Sequence, residues 1–234
     1  MYLKSSSGIL NPVRKEGEFE SFFNLLREFN FEEPGDSGSL YRQPVAGDWR
    51  LSVAYPESDI ERVLLTSEEI QQRVKLLADQ ISKDYTNVEN LYFIGILKGA
   101  FILLADLTRQ LTIPHKVDFM ALSSYGQLTE ITGEVRILMD LRQPIEREHV
   151  VIVEDIIDSG STLDYLYRVL KGRRPASLKT CVLLKKRRDA IDVPIDYLGF
   201  EIPDVWVVGY GLDFADTYRT LPYIAELKKE IYSK

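Results

Sequence analysis

A chain of 234 residues can bury one substantial core, or one domain plus an extension. Its formal charge of −7 and pI near 5.1 argue against a dedicated nucleic-acid binder, but leave room for a local basic pocket. One cysteine and two histidines exclude an internal disulfide framework and any convincing zinc site.

Residues 1–58 differ in character from the rest. Ser5-Ser6-Ser7-Gly8 and Glu32 to Ser39 are turn-rich. Between them Phe19, Phe22, Phe23, Leu26 and Phe29 recur at helical spacing, with Glu16, Glu20, Arg27 and Glu28 elsewhere on the wheel. This is one amphipathic helix with an aromatic face. Docking onto the chain's own following domain is the preferred reading, ahead of a partner-binding helix. A lipid-surface helix ranks third, because the polar face is acidic. No apolar run approaches the roughly 18 residues of a membrane span, and the N-terminus lacks the apolar segment of a signal peptide. A soluble cytoplasmic protein is the expectation.

From Asp59 the pattern is regular. Ser67 to Ile81 is predicted as a helix, with Thr66 or Ser67 as N-cap and Glu69 or Glu68 in its first turn. Leu91 to Leu97 is a buried strand, Lys98-Gly99-Ala100 a turn, and Phe101 to Leu111 a helix. His115 to Leu122 is a strand, Ser123 to Thr132 a polar loop, and Gly133 to Met139 a strand. Val150 to Val153 is a further strand and Leu163 to Leu170 a helix. Leu178 to Leu184, Asp196 to Phe200 and Trp206 to Tyr210 complete the strands, with Cys181 read as a buried, inert thiol. Strands alternating with helices argue an α/β fold, a mainly parallel sheet covered on both faces. Ligands in such sheets lie beyond the carboxyl ends of the strands.

The most informative stretch is Val150 to Thr162, VVIVEDIIDSGST. A β-branched run enters the adjacent carboxylates Glu154 and Asp155. Asp158 and the small, hydroxylated turn Ser159-Gly160-Ser161-Thr162 then open a helix. Backbone N–H groups at such a turn make an anion site, above all for phosphate. Carboxylates just before a phosphate cradle fit a ribose 5-phosphate, whose hydroxyls or metal ion would meet them. An acidic strand end with no ligand is the blander alternative.

The string resembles the phosphoribosyl-diphosphate (PRPP) signature of the type I phosphoribosyltransferases, and its VEDIIDSG form resembles the hypoxanthine-guanine branch. DIERVLLTSEEI, GILKGAF, FMALSSYG, GEVRILMDL, DYLGFEIPD and VVGYGLDFADTYRTLPYI occur in the family's order and spacing. The resemblance covers Asp59 to Tyr232 and leaves residues 1–58 as an extension. It implies the type I phosphoribosyltransferase fold, with helices on both faces of the sheet and a small base-binding hood. It also implies purine salvage: transfer of the 5-phosphoribosyl group from PRPP to hypoxanthine or guanine. The products would be IMP or GMP and pyrophosphate, with Mg²⁺ as cofactor and a homodimer or homotetramer as the assembly.

On that resemblance Ser159, Gly160, Ser161 and Thr162 would hold the 5-phosphate. Glu154 and Asp155 would face the ribose hydroxyls and the Mg²⁺ shell, and Asp213 would be a second metal carboxylate. Asp158 would be the general base near N7 of the purine; a helix N-cap is its alternative role. Leu97, Lys98, Gly99 and Arg219 would meet the pyrophosphate, with Gly95 and Gly99 read as allowing close backbone approach to a ligand. In the family the peptide before this lysine is often cis. Ser124 and Tyr125 would lie in a closing lid. Lys186, with Lys185 as fallback, would donate to O6 and so favour 6-oxopurines over adenine. Trp206, where the family usually has Phe, would stack on the purine, and Val207 would meet its C2 edge. A PRPP-sensing regulator with little catalysis is the competing reading. It fits less well, because the catalytic residues are present and the extension carries nine Asp/Glu against six Lys/Arg.

Overall fold

A computed structural model describes residues 57–124, 135–158, 160–187 and 194–233. The predicted aromatic helix, Ser159 and Tyr125 fall outside these residues. Six strands form the main sheet: β2 (Leu91–Leu97), β3 (Lys116–Ser124), β4 (Val135–Met139), β5 (His149–Ile157), β6 (Ser177–Lys186) and β7 (Tyr197–Ile202). Their order is β4-β3-β2-β5-β6-β7. All pairings are parallel except β3 with β4 at one edge.

The apolar run of β2 is buried between β3 and β5, as its unbroken hydrophobicity requires. Alternate residues feed two cores. Phe93, Val151, Val153, Cys181 and Leu183 pack with α1 (Ser67–Asp84) and α2 (Phe101–Gln110). Tyr92, Ile94, Ile96, Val150, Ile152 and Val182 pack with Leu163, Leu166 and Leu170 of α3 (Ser161–Gly172). Burial pushes the Cys181 thiol up to about 12, which makes it the inert group expected.

The helix α1 starts on a capping box. The Glu69 N–H donates to Thr66 Oγ1 at 3.2 Å, and the Thr66 N–H donates to Glu69 Oε2 at 2.8 Å. It runs three residues past the predicted end at Ile81, where buried Ser82 accepts the Thr112 N–H at 3.1 Å.

Three findings correct the sequence reading. Strand β3 runs on to Ser124, which pairs with Val135, so Ser124 closes a strand rather than opening a loop. Strand β5 runs on through the acidic pair to Ile157, because parallel pairing with β6 reaches Lys185. The predicted strand Trp206 to Tyr210 shrinks to β8 (Val207–Val208), since Gly209 (φ 100°) and Tyr210 (φ 47°) turn the chain away. Strand β8 belongs to a separate antiparallel sheet, β1-β9-β8, with β1 (Ile60–Leu65) and β9 (Ile224–Leu227). This sheet is the hood that the resemblance implies. Its own core is Val208, Tyr218, Leu221 and Leu227. A short helix, α4 (Lys229–Tyr232), closes the described chain.

Candidate active site

The carboxyl ends of β2, β5 and β6, the start of α3 and the 204–219 segment converge. One cavity of about 150 Å³ is lined by Glu154, Asp155, Ile156, Ile157, Asp158, Gly160, Thr162 and Leu163. A second, of about 240 Å³, is lined by Asp155, Ile156, Asp158, Lys186, Trp206, Val207, Leu212 and Asp213. The two share Asp155, Ile156 and Asp158.

The first cavity sits at the N-terminus of α3. Gly160 is the N-cap, with φ 80°, a left-handed conformation that glycine adopts without steric penalty. The predicted alternative role of Asp158 as N-cap is therefore not the one the helix uses. Because Gly160 brings no capping side chain, the first N–H groups of α3 have no acceptor from it. Ser161 and Thr162 form the first turn. A phosphate would meet those donors and the positive end of the helix dipole.

Glu154 and Asp155 lie in β5 just past its last pairing with β2, at Val153, while its pairing with β6 continues to Ile157. Burial, and then the charge of Asp155, raises Glu154 well above the ordinary carboxylate range. Burial also raises Asp155, against the pull of its hydrogen bonds and of Arg219. Glu154 Oε2 is buried without a hydrogen-bond partner, which leaves a hard oxygen free for a ligand. Among the described residues no group of three His, Cys, Asp or Glu is close enough to cage a metal. Magnesium commonly takes only one or two protein carboxylates and keeps water. Asp155 and Asp213 line the same cavity, so the oxygen donors present fit that ion.

Two glycine backbones stack beside Asp155, Gly99 against it and Gly211 against Gly99. A Cβ on Gly99 would lie 1.6 Å from Asp155 Oδ2, and one on Gly211 (φ 102°) would lie 2.0 Å from the Gly99 carbonyl oxygen. Only glycine lets these loops stack. Gly95 serves a different purpose from the one read in the sequence. Its added Cβ would meet Leu104 Cδ2 at 2.6 Å, so it answers to core packing rather than to a ligand. The Leu97–Lys98 peptide is cis.

Arg219, mostly buried, joins the same layer. It donates to the Gly211 carbonyl at 2.8 Å, and contacts Asp213 Oδ1 at 2.8 Å and Asp216 Oδ1 at 2.9 Å. Lys98 Nζ reaches the same Asp216 oxygen at 2.7 Å. The two cations expected to meet pyrophosphate thus converge on one carboxylate.

In the second cavity Lys186 is buried at 7% exposure, with Nζ 3.1 Å from Asp158 Oδ2 and 3.4 Å from Asp204 Oδ1. Lys185 instead pairs with Glu201 at 3.5 Å. Trp206 is 42% exposed, so it is no core aromatic. Tyr232 stacks on it at 5.2 Å, and Phe214 meets it edge-on at 5.7 Å. Val207 is buried beside it on β8.

Sequence reasoning missed Asp204, Asp216, Gly211 and Asp106. Asp106 accepts from the Tyr210 hydroxyl at 2.7 Å and from Gln71 at 2.8 Å, anchoring the 209–212 turn to α2. The closely spaced glycines of VVGYGLD were the available signal for Gly211. Nothing local marks the three aspartates.

Residues 63–215 match the family described as phosphoribosyl transferase domain. A hypoxanthine-guanine phosphoribosyltransferase of Dictyostelium discoideum is 49% identical over 176 residues, spanning 74% of this chain and 98% of that protein. The structure of a hypoxanthine phosphoribosyltransferase from Staphylococcus aureus matches with a TM-score of 0.71 at 45% identity, covering 76% of this chain and 96% of that one. The Trypanosoma cruzi hypoxanthine phosphoribosyltransferase in complex with its product IMP matches with a TM-score of 0.70 at 44% identity, over 76% and 100% of the two chains. With more than half of its length inside the family match, and relatives of this identity aligned over nearly their whole length, the chain belongs to the phosphoribosyltransferase family, in its hypoxanthine-guanine branch.

Proposed function

We propose that this enzyme transfers the 5-phosphoribosyl group of PRPP to hypoxanthine or guanine, forming IMP or GMP and releasing pyrophosphate. The observation that carries the reading is the second cavity. It is lined by one buried lysine, three carboxylates and one partly exposed tryptophan, and it shares Asp155, Ile156 and Asp158 with the cavity at the α3 N-terminus.

Ser159, Gly160, Ser161 and Thr162 hold the 5-phosphate, with the positive end of the α3 dipole in support. Glu154 and Asp155 grip the ribose hydroxyls. Lys98, Gly99 and Arg219 meet the diphosphate, with Leu97 setting the loop. The purine lies against Trp206, its C2 edge at Val207. Lys186 donates to O6, which a 6-oxopurine offers and adenine does not. As the purine nitrogen bonds to C1 of the ribose, the diphosphate departs, and Asp158 accepts the proton held at N7. The anomeric carbon passes through an oxocarbenium-like state, so a lid that begins beyond Ser124 and carries Tyr125 would protect it from water. Asp155 and Asp213, which line one cavity, and Glu154 beside Asp155 would hold Mg²⁺ largely through water, and the ion would supply charge neutralisation to the diphosphate.

Residues 59–234 are assigned to the catalytic domain and residues 1–58 to an N-terminal extension. The enzyme works as a cytoplasmic homodimer or homotetramer. Among the described residues no helix is long and apolar enough to cross a membrane.

The test is nucleotide formation from PRPP and Mg²⁺ with hypoxanthine, guanine, xanthine and adenine offered side by side. Turnover of the first two with adenine refused is the expected result. PRPP binding with no turnover of any base would favour the regulator reading instead.

A further inference from the structure

The loop from Asp213 to Arg219 brings a carboxylate to the place where a diphosphate is expected. Ala215, Asp216 and Tyr218 all have positive φ, of 51°, 60° and 70°. Few side chains sit there easily, and aspartate and asparagine are the usual exceptions. The Asp216 N–H donates to Asp213 Oδ2 at 2.8 Å, which holds residue 216 over the site. From that position one oxygen, Oδ1, meets both Lys98 Nζ at 2.7 Å and Arg219 Nη2 at 2.9 Å. Lys98 lies more than a hundred positions from Asp216 in sequence, whereas Arg219 shares its loop.

We propose that Asp216 is a built-in competitor of the diphosphate. Its carboxylate occupies the cations Lys98 and Arg219 in the ligand-free enzyme, and it is displaced from them when PRPP or pyrophosphate binds. The inference rests on the proposed reading of those cations as the diphosphate site.

Two observations carry it. The contact is single-point: one carboxylate oxygen serves two cations, whereas a diphosphate offers several oxygens and can engage the forked guanidinium at two of them. The Lys98 and Asp216 side chains are 65% and 66% exposed, so their pairing is worth only a small factor in an equilibrium constant. A carboxylate so placed is weak enough to yield to a polyanion, yet close enough to repel it once it has arrived. The expected consequence is faster release of pyrophosphate, at a cost in PRPP affinity.

The test titrates inorganic pyrophosphate with Mg²⁺ into the full chain by calorimetry, for the wild type, Asp216→Asn and Asp216→Gly. Both replacements tolerate the positive φ and remove the charge. The expected result is pyrophosphate binding about three- to tenfold tighter in both variants, with a matching fall in the KM for PRPP and no rise in kcat. A purely structural role for Asp216 cannot produce a gain in affinity. Unchanged or weaker binding in both variants, in an enzyme that still forms nucleotides, overturns the competitor role alone. Failure of the wild type to bind pyrophosphate or PRPP at all overturns the reading of Lys98 and Arg219 as well.

Discussion

The ammonium of Lys186 lies 3.1 Å from Oδ2 of Asp158. The group proposed to read O6 and the group proposed to take the N7 proton are thus ion-paired before any base arrives. Asp204 Oδ1, at 3.4 Å, offers the lysine a second counter-charge. On the proposed roles, O6 would draw Lys186 toward the purine and release Asp158 to act as a base, with Asp204 left as the lysine's partner. Lys186→Met is expected to lower kcat/KM for hypoxanthine by about 10- to 100-fold, the range for losing a hydrogen bond to a charged group. PRPP affinity should change little. An equal loss from Lys185→Ala would place the base-reading residue one position earlier.

Asp158→Asn keeps the shape of the side chain and removes its basicity. It should lower kcat by roughly 10²–10⁴ while PRPP binding, followed by calorimetry, is retained. Full activity in this variant would remove Asp158 from the chemistry.

Gly99→Ala tests the stacked loops. The new methyl would lie 1.6 Å from Asp155 Oδ2, and Gly211 leaves the Gly99 backbone no room to retreat. Misplacing Asp155 by about 1 Å is expected to lower kcat/KM on the order of a hundredfold, with circular dichroism unchanged. An alanine variant with ordinary PRPP affinity would show that the contact is dispensable.

Asp140 predicts an acid-side dependence of stability. The Arg173 guanidinium grips both its oxygens, at 2.7 and 2.9 Å, and with the Leu141 N–H lowers it from the ordinary 3.8. A depressed folded-state value means that the unfolded chain binds the proton more readily. The pair's contribution is therefore complete above pH 3.8 and is lost as pH falls through the lower, folded value. Asp140 is about half exposed, so solvent screening limits the contribution to about 1 kcal/mol or less. Urea unfolding should show Asp140→Asn less stable than wild type at pH 7. That gap should close as pH is taken below 3.8. A gap that is constant with pH would mean that Arg173 gains nothing from the charge.

The main sheet was legible because its strands advertise burial. The run Leu91–Leu97 is apolar throughout, and it forms a strand over those same residues. Two of the three hood strands, β1 and β9, were not legible. Strand β9 has four residues, β1 shows little alternation in burial, and the two pair across 164 positions in sequence at Arg62 and Glu226. Local pattern carries no information about such a pairing, because the favourable contacts exist only once distant segments have met.

What the sequence determined by itself is the α/β class, the order of the strands and helices, and the turn that opens α3. Each follows from hydrophobic periodicity and the backbone freedom of glycine, which are properties of a few neighbouring residues. Tertiary structure decided which of two adjacent lysines enters the base cavity. In a strand, neighbours point to opposite faces, so a one-residue register difference exchanges them. It also decided which aspartates stand beside which cations. Asp204 and Asp216 meet Lys186, Lys98 and Arg219 only because the 204–219 segment folds back across the ends of β2 and β6. Charges separated along the chain interact through space, and nothing local in the sequence specifies that distance.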